Sequence, residues 1–134
     1  MTDRARGSFE VTLVPQDWKD MPPEAMMGRM SIDKHFSGDL EGTSKGHMLT
    51  AGSNVKGSAG YVAIERFTGT LRGRSGTFVL QHSATMTRGA PLLSVTVVPD
   101  SGTGDLTGIS GSMAIIIAGG HHSYDFEYAL DRST

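Results

Sequence analysis

One stretch, residues 60–88, most constrains how this chain folds. It reads GYVAIERFTGTLRGRSGTFVLQHSATMTR, in which two runs rich in β-branched and aromatic residues flank a centre containing Gly69, Gly73 and Gly76. Such runs favour strands, and glycines favour the turn between them. The stretch therefore predicts a long β-hairpin at the centre of an all-β domain.

The same alternation of apolar and polar residues recurs along the rest of the chain. Period-two alternation predicts a strand with one buried face, and segments rich in Gly or Pro separate these runs. No segment shows the period of an amphipathic helix. The predicted strands cover residues 7–15, 26–36, 39–52, 61–71, 77–87, 92–98, 106–118 and 122–130. Their short sequential connections imply antiparallel neighbours.

Glycines inside the predicted strands favour closure of the sheet. Gly38, Gly42 and Gly46 are spaced by four and therefore share one face of a strand. Such glycines allow the sharp bends that a barrel wall needs. Eight strands is also the number at which a closed barrel fills with side chains or holds one small ligand. We predict an eight-stranded antiparallel closed β-barrel with almost no helix, and a two-sheet sandwich is the competing architecture.

Composition limits the classes of function. A chain of 134 residues predicts one domain over residues 1–134, with residues 1–6 as a flexible, polar tail. The absence of cysteine excludes disulfides and thiolate metal sites. A net charge of −2 argues against nucleic acid as a partner. The longest apolar run, residues 113–118, is too short to span a membrane, and residues 1–6 lack the apolar region of a signal peptide. A cytoplasmic protein without a membrane partner is expected.

Four segments together resemble one bacterial family. They are FSGDLEGTS (36–44), GYVAIE (60–65), GRSGTFVLQH (73–82) and SGTGDL (101–106). The chain is similar to domain-of-unknown-function family 3224 over roughly residues 7–131. That family resembles the allene oxide cyclase-like barrel group, which in turn resembles the plant dirigent proteins. The resemblance implies an eight-stranded antiparallel barrel with a cavity, often oligomeric, but it implies no reaction, and no catalytic residue carries over from it.

Two apparent motifs for cofactors do not fit their usual context. Residues 102–108 read GTGDLTG, which resembles a dinucleotide fingerprint, but the third glycine is one position late and a strand follows instead of a helix. His121, His122 and Asp125 have metal-ligating side chains. Adjacent histidines in a strand point to opposite faces, however, so both cannot reach one ion without distortion. We predict no cofactor and no metal.

Glu65 is the first candidate for chemistry. It shares a strand face with Tyr61 and Phe67. If that face points inward, burial raises the pKa of the carboxyl group and suits it to general acid or base work. If Val62 and Ile64 point inward instead, Glu65 lies on the surface. The sequence leaves both alternatives open.

His82 is the second candidate. It alternates with Phe78 and Leu80 on a clearly apolar face, so it is predicted to lie inside, either as a satisfied core histidine or as a catalyst. Tyr124 and Tyr128 alternate on the last strand and either line the interior or only pack there. The predicted interior lining is Tyr61, Glu65, His82, Tyr124 and Tyr128.

These residues predict a barrel that binds a small apolar molecule in its interior. The first alternative is an isomerase or cyclase acting on a flexible apolar substrate, in which Glu65 or His82 moves a proton. The second alternative is a structural or interaction protein with a filled barrel. Whether there is any catalysis stays open at this point.

Some strands are apolar on both faces. Residues 92–93 and 113–117 are apolar at successive positions. A strand that is apolar on both sides needs a second cover, and no helix is available to provide it. A partner subunit is the simplest cover, so we expect a homo-oligomer.

Overall fold

The computed structural model describes residues 2–130, most of which lie in strands. The strands are β1 (Asp3–Gln16), β2 (Met27–Gly38), β3 (Leu40–Ala51), β4 (Ala59–Leu71), β5 (Arg74–Thr87), β6 (Ala90–Val97), β7 (Ile109–Ala118) and β8 (His121–Leu130). Two 3-10 turns of three residues each, Pro23–Ala25 and Gly104–Leu106, lie in the connections.

The strands form one closed barrel. Each strand pairs antiparallel with the next along the chain, and β8 pairs with β1 to close the sheet. The predicted fold class, an eight-stranded antiparallel closed β-barrel with almost no helix, is confirmed. No helix within residues 2–130 has the length and apolar character needed to cross a membrane.

Two segments differ from the sequence-based expectation. Residues 3–6 were expected in a flexible tail, but they belong to β1, where Ala5 is fully buried and pairs with Phe126. Leu106 was expected in a strand, but it ends a 3-10 turn in which the Leu106 amide donates to the Thr103 carbonyl. The turn residues at 99–104 carry the chain around before β7 begins at Ile109.

The connection over residues 98–108 closes one end of the barrel, and we call it the plug. Its Leu106 is fully buried, and the Thr103 amide donates to the Thr77 carbonyl at 2.8 Å. Gly76 permits this contact because a Cβ there would clash with the carbonyl oxygen of Thr103.

An aromatic layer lies inside the barrel towards the plug. Its members are buried side chains from β2, β4, β5 and β8, namely Phe36, Phe67, Phe78, Tyr124, Phe126 and Tyr128. The rings of Phe67 and Phe78 are 5.1 Å apart between centroids, and those of Phe78 and Phe126 stack at 5.7 Å. This half of the interior is therefore filled by the protein's own side chains.

The opposite end of the barrel is open. Along β6, inward-facing Val95 is 2% exposed, whereas Leu93 is 41% exposed. Inward-facing Ile117 on β7 is 68% exposed, although Met113 on the same face is buried. The longer strand connections, residues 17–26 and 52–58, lie at this end. We call it the open end, because inward-facing side chains there are in contact with solvent.

The barrel wall is weakest between β6 and β7. These strands share a single register pair, Thr96 with Ser112, whereas β5 and β6 share eight pairs. Leu92 and Ile116 lie beyond that pair, where the two strands diverge, and both are exposed. We call this boundary the β6–β7 seam.

Candidate functional site

Four polar side chains meet inside the barrel, around the carboxylate of Glu65. Lys34 Nζ lies 2.8 Å from Glu65 Oε2, and His82 Nε2 lies 2.5 Å from the same oxygen. Ser44 Oγ donates to Glu65 Oε1 at 2.5 Å. All four residues are buried, and Glu65 is 0% exposed. We call this group the Glu65 cluster.

The register of β2, β3, β4 and β5 brings the cluster together. Lys34 lies opposite Ser44 across β2 and β3, and Glu65 lies opposite Gly46 across β3 and β4. His82 is offset from Glu65 by two positions across β4 and β5, which places both on the inward face as diagonal neighbours. Gly46 has no side chain to fill the space that the cluster occupies. Each strand thus contributes one polar group to a single point.

The charge state of Glu65 follows from opposing effects. Burial is the largest and by itself raises the pKa of this carboxyl group. The hydrogen bond with His82, the charge of Lys34 and the hydrogen bonds from Lys34 and Ser44 together outweigh it and lower the pKa to about 2. The expectation of a raised pKa was therefore wrong, because sequence showed the burial but not the partners. Glu65 is an ionised carboxylate at neutral pH.

This ionised carboxylate fixes how His82 is oriented. A carboxylate only accepts hydrogen bonds, so Nε2 of His82 carries the hydrogen and donates it. In a neutral ring Nδ1 is then an acceptor, and it has no hydrogen-bond partner among residues 2–130. The ring of Tyr61, one inward position closer to the open end, lies 6.5 Å from the His82 ring. Burial raises the pKa of Tyr61, and the charge of Glu65 adds to that effect.

Lys34 is held on its other side by aromatic rings. Its Nζ lies 4.8 Å from the centroid of Phe9 and 5.9 Å from that of Phe36. Ring faces attract a cation, so the ammonium group is stabilised by Glu65 and by the rings of Phe9 and Phe36. The Glu65 cluster thus marks the boundary between the filled half of the barrel and the open half.

The structure brings together three of the five predicted interior residues. Tyr61, Glu65 and His82 lie on the inward faces of β4 and β5, and this orientation of β4 leaves Val62 and Ile64 exposed outside. The open question about Glu65 is therefore answered in favour of the interior.

Tyr124 and Tyr128 lie in the aromatic layer, away from the Glu65 cluster. The hydroxyl of Tyr124 accepts from the Leu40 amide at 2.8 Å and donates to the Ser37 carbonyl at 3.0 Å, which fixes the turn between β2 and β3. Tyr128 stacks on Phe126 at 5.4 Å. Burial raises the pKa of both phenols. Their positions fit packing better than contact with a ligand.

Sequence reasoning missed two members of the cluster, Lys34 and Ser44. Lys34 alternates with Ile32 and Phe36, so its inward direction was visible in the pattern. Ser44 alternates with glycines and carries no such signal. A lysine at an inward position of an apolar strand face is the feature that would have pointed to a buried acidic partner.

The histidine pair near the β7–β8 turn does not join this site. His122 packs its ring 5.2 Å from that of Phe9, and Asp125 binds Arg4 at 2.9 Å and Arg6 at 3.4 Å. Within the described residues, no group of three or more His, Cys, Asp or Glu side chains is arranged to hold a metal ion.

A groove of about 1020 Å³ lies on the outer side of the barrel, along β3, β4 and β5. Side chains that point away from the Glu65 cluster form much of its lining, among them Leu49, Val62 and Ile64. We call it the outer groove. His82 and Ala63 also contribute to its lining.

The chain and its fold can be compared with known proteins. A crystal structure of a DUF3224-family protein of unknown function from Shewanella oneidensis MR-1 is 46% identical in sequence, and the match covers 99% of this chain and 100% of that one with a TM-score of 0.93. No curated protein matches the chain. The model of the family described as "Protein of unknown function (DUF3224)" matches residues 5–128, and the chain therefore belongs to that family.

Proposed function

We propose that this protein binds a small, largely apolar molecule at the open end of the barrel, with His82 contacting its polar group. The observation that carries the proposal is the state of His82. Its Nε2 is engaged by Glu65, whereas its Nδ1 has no partner in the described chain. His82 is 3% exposed, and an oriented hydrogen-bonding atom without a protein partner is the kind of precisely placed polar group that a ligand site requires.

The cost of the cluster supports a functional role. Removing charged groups from water costs several kcal/mol for each ion, and apolar residues of similar volume often stabilise a fold better. Perturbed, buried ionisable groups therefore concentrate at functional sites. A filled structural barrel has no need of Lys34 and Glu65, since the aromatic layer already packs one half of the interior.

The surroundings of His82 define the ligand further. Half-buried apolar side chains from β2 to β7 face inward near the open end, namely Met30, Met48, Tyr61, Ala84 and Ile115. They favour an apolar body. Because Nδ1 is an acceptor in the neutral ring, the polar group should be a donor, such as a hydroxyl or an N–H.

A matched pair of probes tests this proposal. We expect 2-naphthol to bind more tightly than 2-methoxynaphthalene, which lacks the donor, by up to about ten-fold for one hydrogen bond. His82→Phe should abolish the preference without removing binding of the methoxy compound. Tyr124→Phe, in the aromatic layer, is the control and should keep the preference. Amide NMR shifts around the open end would locate the probe.

Equal affinity of the wild-type protein for both compounds would overturn the role of His82. Shifts confined to the outer groove would overturn the proposed location. Native mass spectrometry of the purified protein would complement the test by revealing a co-purified molecule.

One observation favours a second candidate, an isomerase or cyclase. An ionised carboxylate that fixes the Nε2–H of a histidine leaves Nδ1 free to take a proton from a bound substrate. The proton acceptor would be His82 and not Glu65, because a carboxyl group with a pKa of about 2 is a weak base. The resemblance to the allene oxide cyclase-like barrels agrees with this candidate.

Exchange of protons with solvent distinguishes an enzyme from a binding protein. The molecule found by native mass spectrometry would be incubated with protein in D₂O. An isomerase should introduce deuterium at carbon, and His82→Gln should stop that exchange. A ligand recovered without deuterium from the wild-type protein would exclude this candidate.

A further inference from the structure

The outer groove combines exposed aliphatic side chains with two facing cations, Lys45 and Arg66, at one end. His47 lies opposite Ile64, and Arg29 lies at the other end, opposite Leu49. Leu49 lies opposite Val62 across β3 and β4, and Ile64 follows on the same outward face of β4. Ile64 is 54% exposed, and its two apolar neighbours are also exposed. Contiguous exposed aliphatic side chains on adjacent strands mark a surface that another molecule covers.

The cations at that end face each other. Lys45 lies directly opposite Arg66 across β3 and β4, and both side chains line the groove. Like charges at opposed positions destabilise a pair of strands. Lys45 lies 3.4 Å from Asp33, and Arg66 reaches the Thr77 hydroxyl at 3.5 Å. Among residues 2–130, Asp33 is the one carboxylate that forms an ion pair with either of these two cations.

We propose that the outer groove binds a free amphiphilic carboxylate, such as a medium-chain fatty acid. The carboxylate lies between Lys45 and Arg66, where it relieves their repulsion and accepts charge-assisted hydrogen bonds. The hydrocarbon chain lies over Ile64, Val62 and Leu49. The four residue steps from Arg66 to Val62 span about 13 Å, which matches an extended chain of about ten carbons.

Charge argues against a second copy as the occupant. A second copy packing through the same face would bring Lys45 and Arg66 of both subunits into one interface, because a two-fold contact uses the same patch twice. Binding to lipid vesicles distinguishes a membrane surface from a free amphiphile as the occupant. Arg29, opposite Leu49, also lines the groove, and one of its N–H groups donates to the Asp17 carbonyl at 2.9 Å.

The site is independent of the one proposed at the open end. It uses the outward side chains of β3 and β4, while Glu65 and Ser44 point inward. The two proposals can therefore fail separately.

Binding of decanoate below its micellar concentration tests the inference. Isothermal titration calorimetry should detect decanoate and show at least ten-fold weaker binding of decyltrimethylammonium, which has the same chain and the opposite charge. The double variant Lys45→Gln/Arg66→Gln should lose at least ten-fold in affinity. Its matched control is Lys19→Gln/Lys56→Gln, which removes the same charge from exposed loop positions and should bind normally.

The outcomes that overturn the inference are equally specific. They are equal affinity for the two amphiphiles, normal binding by Lys45→Gln/Arg66→Gln, or decanoate-induced amide shifts at the open end. Dimerisation that buries Ile64, or binding to phosphatidylglycerol vesicles without binding of free decanoate, would assign the groove to another occupant. The lysine and arginine side chains replaced in these two double variants are all exposed, so far-UV circular dichroism should show that both variants are folded.

Discussion

At the scale of single residues, Glu65 determines the electrostatics of the interior. Its pKa of about 2 lies below the ordinary value of 4.5 because its three partners outweigh its burial. A carboxyl group with a depressed pKa in the folded state stabilises the fold above its unfolded pKa. That stabilisation disappears as the pH falls through the folded value.

Glu65→Gln should therefore remove a pH-dependent part of the stability. We expect the difference between wild type and variant to be largest above about pH 4.5 and to shrink by roughly 3 kcal/mol as the pH falls to about 2. Urea unfolding at several pH values measures it. Asp33→Asn, at an exposed position, serves as the control with a small effect throughout. A difference that is constant across this range would contradict the assignment.

Lys34 and Glu65 should be energetically coupled. Lys34→Met leaves the buried carboxylate without its cation and should cost about 3–5 kcal/mol of unfolding free energy. Lys34→Met combined with Glu65→Leu removes both charges and should be less destabilising than the sum of the single changes. A double-mutant cycle by denaturant unfolding gives the coupling. Simple additivity would show that the pair does not interact as its 2.8 Å separation indicates.

The sequence predicted part of this site. Alternation placed Glu65 on the same face of its strand as Tyr61, and His82 on the same face of its strand as Phe78. The face to which a side chain points depends only on its position along the strand. The meeting of Lys34 with Glu65 depends on how β2, β3 and β4 are registered and tilted. The order of residues along each strand does not specify that arrangement, so the lowered pKa of Glu65 could not be predicted from the sequence.

At the scale of strands, close approach of β3 and β4 shapes the site. A Cβ on Gly46 would clash with the carbonyl oxygen of Ile64 and lie 2.6 Å from Glu65 Cα. The backbone of β4 would have to move, and Glu65 would move with it.

Gly46→Ala should accordingly destabilise the protein by more than about 2 kcal/mol. Gly52→Ala is the matched control, because its nearest neighbour, the Met26 carbonyl oxygen, would lie 3.6 Å from the new Cβ. Thermal unfolding of both variants tests the comparison. Equal stability of the two would mean that β3 and β4 can separate without cost.

The β6–β7 seam should open more readily than the other strand boundaries. β6 has a full ladder to β5 but a single register pair with β7. Amides of residues 90–95 that point towards β7 should exchange with D₂O much faster than those in the centre of β4. Hydrogen-exchange NMR measures this directly. Uniform protection around the barrel would show that the seam is closed in solution.

At the scale of the whole molecule, the apolar surface near the seam predicts assembly. Leu92 is 74% exposed, and Ile116 is exposed close to it. The expectation of a homo-oligomer stays a prediction, and these residues are its most specific test.

Leu92→Glu combined with Ile116→Glu should convert the assembly to monomers, because two buried charges would face an apolar partner surface. Sedimentation velocity of wild type and variant measures the change. Thr12→Glu, on the exposed face of β1, is the control and should leave the assembly intact. A wild-type protein that is monomeric at every concentration would contradict the prediction.

The architecture was more predictable than the use of its interior. Hydrophobic alternation and turn residues specified eight strands, and in-strand glycines such as Gly46 indicated closure. The contrast between a plugged end and an open end depends on Leu106 folding back under the barrel. That contact joins a turn to a distant strand, which no local pattern describes.

The plug has a consequence for kinetics. Because residues 98–108 close one end of the barrel, a ligand bound at the open end, as proposed above, would enter and leave by the same route. The bound ligand would then have to dissociate before a second one could bind, so its dissociation rate should not depend on the concentration of competitor. In a barrel open at both ends, a second ligand could instead enter from the other end and displace the first.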